Sequence, residues 1–168
     1  NSLLKEFNGG SSHVNLLSTY DTALSDYGNK IYLKRKESIS MIINNVQEYY
    51  TFIAKQNEQV NIIYKSQLEN ISFEDALHQN REKDKVLTFT STGIHRDDFI
   101  FELNSNSLKK CGSQGQQKTF LISLKFAYFA LLKSLLDCTP LLLLDDIFDK
   151  LDDYRVEQIV RIMNQNEF

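Results

Sequence analysis

Leu141-Leu142-Leu143-Leu144-Asp145-Asp146 is the stretch whose reading decides the fold. Four consecutive leucines are apolar on both faces, as the central strand of a parallel sheet is. A buried strand ending in two acids places them at the C-terminal edge of such a sheet, where α/β proteins bind ligands. Two adjacent carboxylates there repel each other unless a cation sits nearby, and hydrated Mg²⁺ on a nucleotide phosphate meets that need. Asp is also a common turn residue, so the same six residues read equally as a strand followed by an Asp-rich turn.

Upstream lies Gly112-Ser113-Gln114-Gly115-Gln116-Gln117-Lys118-Thr119. Ser113 with Gln116 three residues on predicts a capping box at the start of a helix over 113–136. The glycines let backbone approach a ligand, and the free N–H groups of a first turn suit a phosphate; a well-capped helix that binds nothing has the same pattern. Leu121, Leu124, Tyr128, Leu131, Leu132 and Leu135 are expected on one face, with Phe120, Ile122, Phe126, Ala127 and Phe129 filling others, so the helix should be largely buried. The octapeptide is not a P-loop. GxxxxGK[ST] needs Gly directly before Lys, and Gln117 stands there. No other stretch fits, so the chain has a carboxylate site suited to a nucleotide metal and no P-loop of its own.

Further upstream, Phe99, Ile100, Phe101, Glu102 and Leu103 alternate as a strand does, and Asn104-Ser105-Asn106-Ser107 reads as the turn of a hairpin. Gly93-Ile94-His95-Arg96-Asp97-Asp98 precedes them. His95 among these charges is a candidate ligand or base, or part of a hydrogen-bonded turn. Val60 to Leu68 reads as a strand. Ser72-Phe73-Glu74-Asp75 reads as a helix start, with Ser72 as cap and two acids on the positive end of the dipole; its tail, Arg81-Glu82-Lys83-Asp84-Lys85, is of mixed charge. From Leu16 to Gln56 there is no Pro and one Gly, and Ile39, Ile42, Ile43, Val46, Tyr49, Tyr50 and Ile53 recur at helical spacing. A helix hairpin or coiled-coil-like arm packed through that stripe is expected. Lys34-Arg35-Lys36 reads as a solvated face or a phosphate contact. After the leucines, a last helix is expected from Asp153 to about Met163.

The chain has 168 residues, 42% hydrophobic and 24% charged, with a single Pro. That suffices for one domain with a helical appendage and argues against disorder. No apolar run reaches the roughly 18 residues of a membrane span, and the opening Asn1–Glu6 stretch shows no secretory signal. The chain lacks an initiator Met, which suggests a piece of something longer. Residues 1–90 carry ten Lys/Arg and eleven Asp/Glu, and residues 91–168 nine and eleven. Neither half is a basic module, so any nucleic-acid footprint is local or lies elsewhere. Cys111 and Cys138 suggest no disulfide scaffold or zinc pair and fit a reducing cytosol; Cys111 reads as a packing residue. His13 and His78 have no partners in sequence and are expected on the solvent side.

The order of these motifs resembles the second half of ABC-type ATPase heads. Gly112–Gln116 resembles their signature loop, Leu141–Asp146 their Walker B strand and Asp149-Lys150-Leu151-Asp152 their D-loop. With Gly93–Asp98 included, the chain is similar to the C-terminal half of the bacterial RecF family of recombination mediators, within the ABC/SMC-type heads. The family's usual Pro is replaced by Ile94. The resemblance covers about 60–168 well and the helical first half more loosely, as an arm.

It implies an α/β fold, the signature and Walker B lobe of a P-loop NTPase head, with the P-loop lobe absent from this chain. The implied organisation is a helical arm over 1–59 and the ATPase lobe over 60–168. In that family two heads sandwich two ATP molecules, the P-loop of one subunit gripping phosphates and the signature loop of the other closing over them. The resemblance then assigns Ser113, Gln114, Gly115 and Gln116 to ATP in trans. It assigns Asp145 to Mg²⁺ through water, Asp146 to the attacking water, and Asp149 and Asp152 to coupling across the dimer. It further implies duplex DNA and single-strand/duplex junctions as ligands, RecR and RecO as partners, ATP-dependent homodimers and recombinase loading at gapped DNA. A role in DNA replication, repair, recombination and the SOS response, in the cytoplasm at the nucleoid and away from membranes, completes the expectation. Two alternatives stand beside it: a non-catalytic dimerisation or partner-binding domain, and another SMC-like head.

Overall fold

The computed structural model describes Leu4, residues 11–55 and residues 57–165. The opening stretch apart from Leu4, the His13 side chain and the expected helix end at Gln56 lie outside the described residues. The elements in order are α1 (Ser11–Ala54), β1 (Val60–Lys65), a 3₁₀ turn (Gln67–Glu69), α2 (Phe73–Leu87) and a second 3₁₀ turn (Ile94–Arg96). There follow β2 (Asp98–Leu103), β3 (Asn106–Ser107), the short α3 (Leu108–Cys111), α4 (Gln114–Leu135) and α5 (Asp153–Gln165). One sheet has the order β1-β2-β3. No helix of the described residues is long and apolar enough to cross a membrane.

The first half is a single continuous helix of 44 residues and not a hairpin, about 66 Å long at the usual rise. The reason is visible in sequence: nothing between Ser11 and Ala54 breaks a helix except Gly28, and Gly28 stays helical. The chain divides into two compact units, one of residues 1–37 with 64–99, the other of residues 38–63 with 100–168.

In the first unit, Leu68, Phe73 and Leu77 form a core with Tyr32 and Ile94 packed on it. Ser72 caps α2 as its position requires, accepting the Asp75 N–H at 3.1 Å. The charged tail of α2 is less uniform than its composition suggests. Asp84 is buried and accepts from the Ser91 backbone N–H at 3.0 Å and hydroxyl at 2.6 Å. Arg81 reaches back to Asp21 on α1. Leu16, Tyr20, Leu24, Tyr27 and Ile31, at steps of three and four, leave an exposed apolar stripe on α1.

In the second unit the stripe predicted on α1 is the core. Ile42, Val46 and Tyr50 are buried with Val60, Ile62, Leu103, Leu108, Phe120 and Ala127. Ile53 joins a neighbouring cluster of Ile122, Phe126, Ile147, Ile159 and Ile162. Full burial of each such side chain stabilises by about 1.5–3 kcal/mol. β2 and β3 form the expected hairpin, Leu103 opposite Asn106. Asn104 and Ser105 both have positive φ, 48° and 63°, the conformation that matches strand twist in a two-residue turn.

Two expectations fail here. α4 buries Phe120, Ile122, Phe126, Ala127 and Phe129, while Leu121, Tyr128 and Leu135 are exposed. These three, seven residues apart, lie on the side opposite the core, so that the apolar count of α4 exceeds what its core contact uses. Leu141–Leu144 has no regular secondary structure and pairs with no strand among the described residues. Leu142 and Leu144 pack on the Ile53 cluster, whereas Leu141 and Leu143 are 84% and 75% exposed. A central strand needs a ladder on each side, and β1-β2-β3 supplies none to it.

Candidate functional site

The capping box forms at the head of α4. Ser113 Oγ accepts the Gln116 N–H at 3.2 Å, and the Ser113 N–H donates to Gln116 Oε1 at 2.8 Å. Ser113 and Gln114 are exposed, so the Ser113 hydroxyl proton points to no capping acceptor and is left to donate outward.

Gly115 is closely approached by the end of the Arg155 side chain, which would have to shift to admit a Cβ. A Cβ there would stand 2.9 Å from an Arg155 guanidinium nitrogen and 3.7 Å from the Lys150 carbonyl oxygen. Arg155 is held in turn by Asp152 at 2.8 Å. Asp152 also accepts the Arg155 backbone N–H at 2.9 Å, which makes it the N-cap of α5. The loop assigned to trans ATP contact and the segment resembling a D-loop therefore meet at Gly115 and Arg155. Asp149 is exposed.

The Asp pair lies beside the same helix. Lys118, in the second turn of α4, donates its ammonium to the Asp146 carbonyl. A lysine thus supplies some of the positive charge that two adjacent acids call for. Asp145 and Asp146 are both exposed, and Asp146 has φ 49°, a left-handed conformation that Asp tolerates better than most residues. Among the described residues no group of three or more His, Cys, Asp or Glu is arranged to hold a metal. Asp145 alone, open to solvent, fits an ion that keeps most of its own waters.

Residues that composition and spacing did not single out complete the site. Gln116 Nε2 donates to Glu58 Oε1 at 2.6 Å, and the Tyr50 hydroxyl donates to Glu58 Oε2 at 2.7 Å. Gln47 Nε2 donates to the Glu58 carbonyl at 3.0 Å, and Gln47 Oε1 accepts from the Val60 N–H at 2.7 Å. Burial first, then the bond to Glu58, pushes the Tyr50 hydroxyl pKa well above the ordinary tyrosine range, against a smaller lowering by Arg155. Gln116 lies 58 residues from Glu58 in sequence, which no local pattern can bridge. The Asp152–Arg155 pair, three apart on a helix start, was legible in principle.

Other candidates settle structurally. His95 Nε2–H donates to the Thr90 carbonyl at 3.0 Å, as a hydrogen-bonded turn would have it. Arg35 turns to the Ile94 carbonyl at 2.7 Å and to Asp97 at 3.3 Å. Asp97, its side chain 1% exposed, also accepts from Tyr64. Burial, then the bond to Asp97, raises the Tyr64 pKa. Lys34 pairs with Glu37, and Lys36 lies over the Tyr32 ring, so the basic triplet is not a free phosphate face. His78 is exposed, as expected. Cys111 is exposed and does not pack; in α3 the buried residue is Leu108.

A capped helix with a glycine-built head, apposed to a turn carrying two acids, is the geometry of the C-terminal part of an ABC-type ATPase head. Within that class, the chain is homologous to the C-terminal part of RecF. It is 46% identical over 149 residues to the DNA replication and repair protein RecF of Azobacteroides pseudotrichonymphae, covering 89% of this chain and 41% of that protein. The RecF proteins of Flavobacterium johnsoniae and Parabacteroides distasonis are 43% and 42% identical over the whole chain. The chain spans less than half the length of these relatives, 47% and 45% for the last two. A solved structure of the recombination mediator protein RecF with ATPγS in the RecFOR pathway superposes with TM-score 0.81 at 28% identity, over 96% of this chain and 46% of that one. The corresponding RecF–ATP structure gives 0.79. No family model matches the chain.

Proposed function

We propose that the chain is the signature-bearing lobe of a DNA replication and repair ATPase of the RecFOR pathway. The observation that carries this is the junction at the head of α4, where Lys118 reaches the Asp146 carbonyl and Gly115 lies against Arg155 and Lys150, one turn from the capped Ser113. ATP-bound relatives of the same fold support it.

Ser113 presents a hydroxyl and the α4 first turn presents free N–H groups toward a phosphate held by a partner head. Gly115 keeps that approach open, and Gln114 and Gln116 flank it. Asp145 holds the water shell of Mg²⁺, which supplies charge neutralisation when bound. Asp146 orients the attacking water and accepts its proton. Asp149 and Asp152 couple this surface to its copy across the dimer. The DNA ligands are duplexes and their junctions with single strands, the partners RecR and RecO, the setting the cytoplasm and nucleoid during recombination and the SOS response. An arm over 1–59 and a lobe over 60–168 follow the order of the motifs, whereas the two compact units cut across that boundary, residues 38–63 lying with 100–168.

Ser113 offers the test, because its two roles separate. Ser113→Asp keeps a good cap, while Ser113→Ala loses about 1 kcal/mol. Asp puts a negative charge where the phosphate must sit. In the intact protein, thermal stability should run wild type ≈ Asp > Ala, and ATP-driven dimerisation by sedimentation wild type > Ala > Asp. If dimerisation simply follows stability, the reading is overturned and the lobe is a dimerisation domain only.

A further inference from the structure

We infer that Glu58 is a positioning residue for the signature loop, acting through Gln116; this rests on the trans-ATP reading above. The Gln116 side-chain amide has two faces with opposite demands. Its oxygen must meet the Ser113 N–H, at 2.8 Å, and its NH₂ must meet an acceptor. Glu58 Oε1, at 2.6 Å, is that acceptor. Rotating the amide by half a turn would set its oxygen against the Glu58 carboxylate and its NH₂ against the Ser113 N–H, so both contacts become repulsive. Glu58 therefore selects one orientation of Gln116, and that orientation closes the capping box on which the placement of Ser113 depends.

Glu58 is itself held by two side chains of α1. The buried Tyr50 hydroxyl donates to Oε2 at 2.7 Å, and Gln47 donates to its carbonyl at 3.0 Å. Two residues on, the Val60 N–H is fixed to Gln47 at 2.7 Å. Both holding side chains stand on α1, one turn apart, in its most buried stretch. Glu58 thus connects the packed end of α1 to the head of α4, and the loop that meets the phosphate is placed by the helix that carries the core. A bond from an amide to a charged carboxylate is worth more than a neutral one, so removing it should be felt at the loop even where the core is unchanged.

The test uses the intact protein and four variants: Glu58→Ala, Glu58→Gln, Gln116→Ala and the Glu58→Ala/Gln116→Ala double. Three readouts are needed, namely nucleotide affinity of the isolated protomer, ATP-driven dimerisation by sedimentation, and melting temperature. Glu58→Ala is expected to weaken dimerisation about tenfold, the size of one charged hydrogen bond, with protomer affinity unchanged. Glu58→Gln keeps an oxygen for Gln116 and an NH₂ for the Tyr50 oxygen but gives up the charge, and should lose clearly less than Glu58→Ala. The double variant should be no worse than the weaker single, since both act on one contact. If Glu58→Ala dimerises normally while Ser113→Ala does not, the role of Glu58 is overturned and the trans-ATP reading stands. Additive losses in the double variant, or equal losses in Glu58→Gln and Glu58→Ala, also overturn it. If Ser113→Ala itself dimerises like wild type, the underlying reading falls and this one with it.

Discussion

Asp145 and Asp146 are neighbours to which the proposed function gives different tasks, and the backbone at Asp146 shapes how each can be probed. Its φ of 49° is a conformation Asn also adopts readily. Asp146→Asn should therefore leave stability unchanged, whereas Asp146→Ala should cost about 1–2 kcal/mol in backbone strain alone. Functionally, Asp146→Asn in the intact protein should trap ATP and hold the dimer closed, because the group that takes the proton is lost while the shape is kept. Asp145→Asn should instead weaken Mg²⁺-dependent nucleotide binding. Nucleotide retention after gel filtration separates the two, and normal turnover by both variants returns the pair to an Asp-rich turn. At this scale the sequence was most informative where chemistry is local. The capping box needs only residues 113 and 116, and Ser72 needs only Asp75. The Gln116–Glu58 contact was invisible because it joins segments 58 residues apart, and Lys118 was read only as part of a failed P-loop, not as the cation beside Asp146.

Among the elements, α1 shows how a glycine can be worth more than its propensity. Gly28→Ala should by propensity favour the helix by about 1 kcal/mol. The added methyl would stand 2.3 and 2.4 Å from ring carbons of the buried Phe73, whose ring also lies so close to Gly93 that a Cβ added there would stand 2.6 Å from it. Overpacking of this kind costs about 1–3 kcal/mol. The melting temperature of Gly28→Ala is therefore expected to fall. The buried end of α1 gives a pH prediction. The folded-state pKa of Tyr50 is raised by burial and by Glu58, so the stability tied to its proton is fully present below the unfolded pKa near 10. It is lost as pH rises beyond that value, when the unfolded chain ionises and the folded chain does not. Denaturant midpoints should fall more steeply above about pH 10 in wild type than in Tyr50→Phe. Period-reading found the buried stripe on α1 because one core face dominates there. On α4 it expected burial nearly all round, whereas Leu124 and Leu131 pack on the core and Leu121, Tyr128 and Leu135 stay exposed; with apolar side chains on every side, periodicity carries no information about which side meets a neighbour. For Leu141–Leu144 it read apolar character correctly and inferred pairing that the described residues do not provide.

For the molecule as a whole, the function proposed above divides phosphate binding between two parts. The chain carries the segment that resembles a signature loop and the two acids but no GxxxxGK[ST] segment, and a P-loop supplies most contacts to the transferred phosphate in such enzymes. The 168-residue chain alone should therefore hydrolyse ATP no faster than buffer, as a phosphate-release assay with and without Mg²⁺ would show. Mg²⁺-dependent turnover by the purified chain would refute the division of labour.

Leu141 and Leu143 carry a consequence of a different kind. A segment whose alternate leucines pack while their neighbours stand in solvent leaves an apolar edge among the described residues, and covering such an edge is a binding reaction. Any strand that docked there would favour the folded state by mass action, adding RT ln(1 + [L]/Kd) to its stability. Stability in this lobe then ceases to be a constant of the chain and becomes a titration curve, with its midpoint set by how much complementary strand the solution holds.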